Sequence, residues 1–219
     1  MKKYREILLK CPLFDGIDEC DLYRMLSCLG ARVMSFDKKY TVFSEGSPAA
    51  NIGILLSGEV QVILVDYYGN RSILGSVSPG ELFAEAFACA ELRSLPVTVV
   101  ASEPSEVMLI DCSHIMHTCE NGCGFHQRLI FNLMKDIAQK NIALYQKSEI
   151  CAKRTTRDKL LSYLSNEAKR QGSSTFDIPY DRQELADYLG VDRSGLSSEI
   201  GKLRDEGIIS ASRSRFTIF

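Results

Sequence analysis

Residues 181–209 constrain the fold of this chain more than any other segment. Leucine and isoleucine recur at helical spacing on both sides of Gly190, as Leu185 and Leu189 before it and Leu196, Ile200 and Leu203 after it. Glycine readily adopts the left-handed backbone that ends a helix and turns the chain. The pattern therefore predicts two short helices joined by a tight turn.

Capping residues mark the ends of both helices. Asp181 is an N-cap candidate, and Glu184 three residues later completes a capping box. Asp192 is the N-cap candidate of the second helix, and Gly207 ends that helix.

The outward face of the second helix carries small polar residues and one arginine near its N-terminal end, namely Arg193, Ser194, Ser197 and Ser198. A helix that enters the DNA major groove places its base-reading side chains there. We therefore predict DNA binding, with Arg193 in bidentate contact with guanine. Arg182 and Gln183 are placed to hold phosphate, and Lys202 completes the predicted DNA-binding set. The other interpretations are a plain helical hairpin and an Arg193 that contacts phosphate alone.

Length and charge distribution support two domains with different partners. A chain of 219 residues is natural for two domains. Residues 1–124 hold 10 Lys and Arg against 16 Asp and Glu, whereas residues 125–219 hold 16 against 12. The basic second half is compatible with a nucleic-acid partner.

The chain contains eight cysteines, but its other features favour free thiols. Charged residues interrupt the apolar ones in the opening MKKYREILLK, so a signal peptide is not expected. Apolar runs are too short for a membrane span. We expect a cytoplasmic, reducing location and no membrane partner.

Residues 32–111 change from helical spacing, which residues 1–30 show, to alternation. Val60, Val62 and Leu64 alternate with their neighbours, and glycines separate the alternating runs. Tyr68-Gly69-Asn70 is a hairpin-turn sequence. Short strands at regular spacing predict a small antiparallel barrel or roll.

Three motifs resemble parts of a cyclic-nucleotide-binding β-roll: VFSEGSPAANIGILLSGEVQV (42–62), GELFAE (80–85) and PVTVVA (96–101). With the helix-turn-helix pattern downstream, the order resembles the CRP/FNR family of bacterial transcription regulators. The resemblance implies an α+β fold with an N-terminal antiparallel β-roll (a double-stranded β-helix), a long dimerisation helix and a C-terminal winged helix-turn-helix. The expected domains are 1–123, 124–150 and 151–219.

The long helix, at residues 124–150, carries two apolar stripes. Ile130, Leu133, Ile137 and Leu144 fit the seam of a two-helix coiled coil, and Phe131, Met134, Ala138, Ile142 and Tyr145 form a neighbouring face. The chain's own roll can cover one stripe, and a second copy of the chain can cover the other. We predict a homodimer with the first set as its seam; a fully buried helix is the alternative.

The expected effector pocket departs from the pattern of relatives that bind cyclic nucleotides. Those relatives carry Arg-Ser-Ala, whose arginine pairs with the cyclic phosphate. The corresponding residues here are Leu95-Pro96-Val97, and Ala84 stands where glycine is common. The residues argue against cyclic-nucleotide binding and leave a small effector of unknown identity. The pocket set is Gly80, Glu81, Leu82, Ala84, Glu85, Leu95, Pro96, Val97 and Thr98.

Cys119 and Cys123, with His117 and His126 nearby, are the candidate metal or redox site. Oxygen-sensing relatives hold an iron–sulfur cluster with N-terminal cysteines. Cys11, Cys20 and Cys28 lack the tight spacing usual for such a cluster. The pattern favours buried free thiols over iron–sulfur or another metal.

The resemblance implies a homodimeric, sequence-specific DNA-binding regulator that reads a pseudo-palindromic operator and contacts RNA polymerase. An effector sensed by the roll would reset the two reading helices through a hinge near residues 149–154. No catalytic motif is recognised, so we do not expect an enzyme. The alternatives are a redox- or metal-responsive regulator, and a ligand-binding module whose helix-turn-helix contacts protein.

Overall fold

A computed structural model describes residues 2–65, 67–68, 71–116 and 125–219. Contacts divide the chain into two compact units, residues 1–139 and 140–219. The longest helix begins in the first unit and ends in the second.

Eight α-helices lie within the described residues, together with 3-10 turns at Lys2–Tyr4 and Pro12–Phe14. The helices are α1 (Arg5–Lys10), α2 (Glu19–Cys28), α3 (Glu85–Cys89), α4 (Cys112–Met116), α5 (Phe125–Cys151), α6 (Thr156–Gln171), α7 (Arg182–Leu189) and α8 (Arg193–Asp205). None of these described helices is both long and apolar enough to cross a membrane.

Eleven strands form three antiparallel sheets in the described parts of the chain. They are β1 (Arg32–Phe36), β2 (Thr41–Phe43), β3 (Asn51–Ser57), β4 (Val60–Val65), β5 (Arg71–Val77), β6 (Leu82–Phe83), β7 (Thr98–Ala101), β8 (Ser105–Asp111), β9 (Thr175–Asp177), β10 (Ile209–Ser212) and β11 (Arg215–Ile218). The sheet orders are β1-β8-β3-β6, β2-β7-β4-β5 and β10-β11-β9.

The first unit is the antiparallel roll that the alternating sequence predicts. Its two four-stranded sheets enclose a core that includes Leu55, Val60 and Phe83. Gly53 pairs with Phe83 across β3 and β6, and a Cβ at Gly53 would lie 2.1 Å from the Phe83 ring. A side chain is therefore excluded at Gly53. Antiparallel pairing also joins β4 to β5, although Gly69 and Asn70 of the predicted hairpin turn lie outside the described residues.

A second core of the first unit joins the N-terminal helices to the start of α5. Asn132 on α5 is buried, and its Nδ2 donates hydrogen bonds to the carbonyl oxygens of Leu13 at 3.0 Å and Asp15 at 2.8 Å. These bonds satisfy a buried amide and fix α5 against the N-terminal segment.

The second unit packs three helices, α6, α7 and α8, with the three-stranded sheet. Its core contains Leu185, Leu196 and Phe216, each 0% exposed. Strands β10 and β11 form an antiparallel hairpin after α8, which makes the unit the expected winged helix-turn-helix. Ile150, at the end of α5, is buried in this same core. Residues around the expected hinge at 149–154 therefore belong to the second unit.

Candidate nucleic-acid interface

The turn between α7 and α8 has the caps that the sequence predicts. The Glu184 N–H donates to Asp181 Oδ1 at 2.8 Å, and the Asp181 N–H donates to Glu184 Oε2 at 2.7 Å. Gly190 then takes a left-handed conformation with φ 60°. Paired caps at the start of α7 and a sharp turn at its end fix the direction in which α8 leaves.

The first turn of α8 is stabilised by Asp192. Its Oδ2 accepts hydrogen bonds from the Gly195 N–H at 3.0 Å and from the Ser194 hydroxyl. The Ser194 bond, followed by the Gly195 bond, lowers the pKa of the Asp192 carboxyl. Ser194 was predicted to contact bases or phosphate, but in this structure its hydroxyl completes the helix cap.

The remaining outward residues of α8 are placed as the sequence predicts. Leu196, Ile200 and Leu203 are buried in the core, which turns the opposite side of the helix to solvent. Arg193, Ser197 and Ser198 are all exposed, and we call these three residues the reading face. Lys202 is also exposed, but its Nζ lies 3.3 Å from Glu199 Oε2. Its charge is therefore partly neutralised.

The predicted phosphate contacts at the start of α7 are more constrained than those of α8. Arg182 is half-buried, and its guanidinium lies 5.0 Å from the centre of the Phe216 ring. Burial, and secondarily the charge of Arg204, lowers the pKa of Arg182. The amide of Gln183 donates to Asp187 Oδ1 at 2.9 Å within the same helix. Arg182 therefore combines packing on the wing with a charge at the surface.

Three further arginines, Arg204, Arg213 and Arg215, were missed by the sequence prediction and are exposed. Within the described ranges, none of the three forms an ion pair, and neither does Arg182 or Arg193. Unneutralised guanidinium groups suit a phosphate backbone. The Ser-Arg-Ser-Arg run in the wing was the signal that could have identified two of them.

An ion-pair network holds α8 against α6. The Arg157 guanidinium bonds both carboxylate oxygens of Glu206, with Nη1 2.9 Å from Oε1, and lies 3.4 Å from Glu199. The bond to Arg157 lowers the pKa of the Glu206 carboxyl. Arg193 takes no part in this network. The network therefore holds the reading face in position without neutralising the charge of Arg193.

Helix α5 corrects the predicted dimer seam. Leu133 is 2% exposed, and Ile130 and Ile137 pack against the same core of the first unit. Leu133 therefore faces the chain's own domain and is not free for a seam, whereas Ile130 and Ile137 are half-buried against that domain. Leu144, the fourth predicted residue, is 67% exposed.

The neighbouring apolar face of α5 is the exposed one. Its members, which we call the outer stripe, are Phe131, Met134, Ala138, Ile142 and Tyr145, and they are all exposed. The large ones are between 56% and 72% exposed. Their spacing of three or four residues places them on one side of a helix.

The effector segment, residues 80–85 and 95–98, is packed into the first unit. Leu82, Leu95 and Val97 are each 3% exposed, and Gly80, Ala84 and Glu85 are also buried. Pro96 is exposed, and Thr98 is half-buried with its Oγ1 accepting from the Glu45 N–H at 3.2 Å.

The polar and backbone features of this segment fit a cyclic phosphate poorly. The Glu81 carboxylate accepts the Ser78 N–H at 2.7 Å and so holds its own loop. Ala84 keeps the left-handed backbone, with φ 62°, that glycine usually supplies. The buried positions Leu95 and Val97 offer no cation, and Arg93 is exposed. A buried phosphate requires a paired positive charge, so the residues do not fit that ligand.

The candidate metal ligands His117, Cys119 and Cys123 lie outside the described residues. His126 is buried, with its Nε2 3.1 Å from the His114 carbonyl oxygen. Among the described residues, no three His, Cys, Asp or Glu side chains gather as a metal site would require.

Two domain-family models match the chain in the order of its two units. The cyclic nucleotide-binding domain matches residues 33–121, and the Crp-like helix-turn-helix domain matches residues 158–219. The first match contains the effector segment, and the second contains α7, α8 and the wing.

Curated relatives of the chain are transcription regulators. The transcriptional activator protein FnrL of Cereibacter sphaeroides is 22% identical over 199 residues, which cover 84% of this chain and 75% of the relative. The cAMP-activated global transcriptional regulator CRP of Pasteurella multocida is 24% identical over 185 residues, covering 82% and 86%.

Solved structures show the same fold. The c-di-GMP responsive global regulator CLP of Xanthomonas campestris aligns with a TM-score of 0.62 at 18% identity, over 92% of this chain and 99% of that one. The catabolite activator protein of Thermus thermophilus aligns with a TM-score of 0.51 at 21% identity, over 95% and 93%.

Proposed function

Because the chain belongs to the CRP/FNR family of DNA-binding transcription regulators, we propose that it acts as a homodimer on a pseudo-palindromic operator. An effector other than a cyclic nucleotide, sensed by the first unit, controls its DNA affinity. Contact with RNA polymerase belongs to the same proposal and rests on the family resemblance alone.

The observation that carries the proposal is the reading face of α8. Arg193 and its two serine neighbours are exposed at the N-terminal end of a helix whose other side is buried. Short hydroxyl side chains let a helix approach base edges, and an unpaired guanidinium provides two parallel donors for guanine. Arg204, near the C-terminal end of α8, and Arg213 and Arg215, in the wing, add positive charge to the same unit, where phosphate contacts set the orientation on DNA.

The outer stripe of α5 supports the homodimer. Exposed apolar side chains along one helix face are stabilised when a second helix covers them, and relatives in this family typically act as dimers. Covering by a second copy would also supply the second reading helix that a twofold operator requires.

The effector segment supports control by something other than a cyclic nucleotide. Its buried members include one carboxylate, Glu85, but no cation, and its exposed carboxylate, Glu81, is bonded to Ser78. Among the relatives reported above, one is cAMP-activated and another is c-di-GMP responsive, and both of these ligands carry phosphate. Effector identity therefore varies within the fold, and we propose that this chain uses a ligand suited to an apolar roll interior.

Fluorescence anisotropy with a labelled DNA duplex at several salt concentrations tests DNA binding. We expect the logarithm of the affinity to fall linearly with the logarithm of salt concentration, because bound phosphates release counterions. The slope should become shallower by about 1 for each phosphate-contacting arginine removed, for example in Arg215→Ala. Salt-independent binding, or none to any duplex, would favour a protein-contact role for the second unit.

The dimer is tested by Met134→Glu, with Gln139→Glu as the matched control. Met134 lies within the outer stripe and is 60% exposed, whereas Gln139 is exposed on a different side of the same helix. A charge in an apolar helix interface is costly, so Met134→Glu should elute as a monomer in light scattering. Gln139→Glu should remain dimeric. A dimer that survives the Met134 change would remove the outer stripe from the proposal.

A further inference from the structure

Two cysteines from different elements of the first unit lie in direct contact. Cys89 ends α3 and Cys112 begins α4, and their Sγ atoms are 3.6 Å apart. Twenty-three positions separate them in the sequence, so the fold brings them together. This pair is distinct from Cys119 and Cys123, which the sequence singled out.

The two thiols have unequal environments. Cys112 is 4% exposed, whereas Cys89 is half-buried. A hydrogen bond joins the two sulfurs, and it lowers the pKa of Cys89 against the opposing effects of burial and Glu85. That same bond, with burial, raises the pKa of Cys112. Since the thiolate is the nucleophile, Cys89 is the more reactive of the two.

A cavity of about 270 Å³ gives small molecules access to the pair. Both cysteines line it, together with Pro48, Leu92, Arg93 and Met116. No residue of the effector segment is among the lining residues that the structure describes, so the cavity is separate from the effector segment. The charged residues of the lining are Arg93, Glu91 and Asp111, so the cavity offers room beside the half-buried Cys89 thiol without a net positive charge.

We propose that Cys89 and Cys112 form an oxidisable dithiol site that a small hydroperoxide converts into an intramolecular disulfide. In the first step, the Cys89 thiolate attacks the O–O bond, forming a sulfenic acid and releasing the alcohol or water of the peroxide after protonation. In the second, Cys112 attacks the sulfenic sulfur, the S–S bond forms and water leaves. Sulfur loses two electrons in total, and the peroxide gains them.

The geometry requires only a short movement. A disulfide has sulfur atoms about 2.05 Å apart, so the two sulfurs must approach by roughly 1.5 Å. The bond would join the end of α3 to the start of α4. Because α3 begins at Glu85, inside the effector segment, oxidation would restrain the element that follows the segment's loop.

The test maps thiols in the full-length folded protein after treatment with hydrogen peroxide. Free thiols are alkylated with a light reagent, disulfides are then reduced and alkylated with a heavy one, and peptides are identified by mass spectrometry. We expect Cys89 and Cys112 to gain the heavy label together, on protein that runs as an uncrosslinked chain in a non-reducing gel. Cys151→Ser, which removes a half-buried thiol of the second unit, should leave this result unchanged.

Single variants separate the two proposed roles, with circular dichroism confirming that each is folded. Cys112→Ser should stop at the first step, so that dimedone labels Cys89 as a sulfenic acid. Cys89→Ser should leave Cys112 reduced and unlabelled, because that thiol is buried. Cys89 and Cys112 that stay reduced in the folded wild type, or that pair with other cysteines, would overturn the proposal. The measurements use no DNA, so they are independent of the DNA-binding role.

Discussion

Helix α8 and the effector segment both carry the side chains that a family resemblance would make functional. Those of α8 are exposed, whereas those of the effector segment are mostly buried. In α8, the buried stripe of Leu196, Ile200 and Leu203 leaves the reading face exposed. In the effector segment, Leu95 and Val97 are themselves buried, and Leu95 belongs to the core of the roll. Helix α8 therefore presents an exposed surface to DNA. In the effector segment, by contrast, the buried side chains occupy much of the space that an effector would need.

This difference shows which functional features a fold fixes. Helical periodicity determines which residues face outward, so a reading surface persists while its individual side chains vary. A ligand site within a roll depends on a few inward side chains. Replacing one inward cation by an apolar residue removes the charge that would pair with a buried phosphate. Membership of the family is thus stronger evidence for DNA binding than for the binding of a particular effector.

Truncating one buried leucine in each region should produce the largest effects. We expect Leu196→Ala and Leu95→Ala each to lower the free energy of unfolding by about 2–5 kcal/mol, because each leaves a cavity. Urea unfolding measures the loss, and hydrogen exchange with mass spectrometry locates it. Faster exchange should be confined to residues 140–219 for the first variant and to residues 1–139 for the second. An unchanged free energy of unfolding in Leu95→Ala would contradict the claim that this segment belongs to the core.

Removing the cation of the reading face should weaken DNA binding while leaving the fold intact. We expect Arg193→Ala to lower the affinity for a selected operator by ~1–3 kcal/mol and to relax preference at one base position. Lys169→Ala removes an exposed charge from the end of α6 and serves as the control. If the base preference of Arg193→Ala were unchanged, Arg193 would contact phosphate and not a base.

The pair that positions α8 should contribute a small, pH-dependent stability. Arg157 lowers the pKa of Glu206 below its ordinary 4.5. The carboxylate is therefore stabilising above about that pH, and its contribution disappears as pH falls through the lowered pKa. Glu206→Gln should be less stable than wild type near neutral pH, and the two should converge in acid. Asp205→Asn, at a neighbouring exposed carboxylate, should show no such convergence. A difference that persists in acid would exclude the ion pair as its cause.

We expect no binding of cyclic nucleotides to this chain. Titration calorimetry with cyclic AMP and cyclic GMP should give no binding heat at micromolar concentrations, because the effector segment supplies no buried cation for the phosphate. The cAMP-activated regulator of Pasteurella multocida is the positive control. Micromolar binding by this chain would mean that another residue, such as Arg93, moves to take the missing role.

The parts of the fold predictable from sequence are those set by local periodicity and capping. Alternation identified the strands of the roll, and the caps at Asp181 and Asp192 identified the starts of α7 and α8. The order of motifs then predicted a roll followed by a winged helix-turn-helix. Each of these features depends on neighbouring residues in the chain, which sequence reasoning can evaluate.

Features that depend on distant residues were not predictable. Both stripes of α5 are apolar, and only the position of the N-terminal helices decides that Leu133 is covered and Met134 exposed. The bond of the Ser194 hydroxyl is local, since Asp192 lies two residues away, but the sequence does not show which of its possible partners that hydroxyl takes. Contact between Cys89 and Cys112 likewise has no signal in their spacing.

Selection of bound sequences from random double-stranded DNA tests the central claim most directly. If two copies of α8 read DNA together, the enriched sequences should contain two inverted half-sites with centres about 34 Å apart, one turn of the double helix. We expect this twofold pattern for the wild-type chain and its loss for Met134→Glu. Enrichment of a single unrepeated site, or no enrichment, would contradict it.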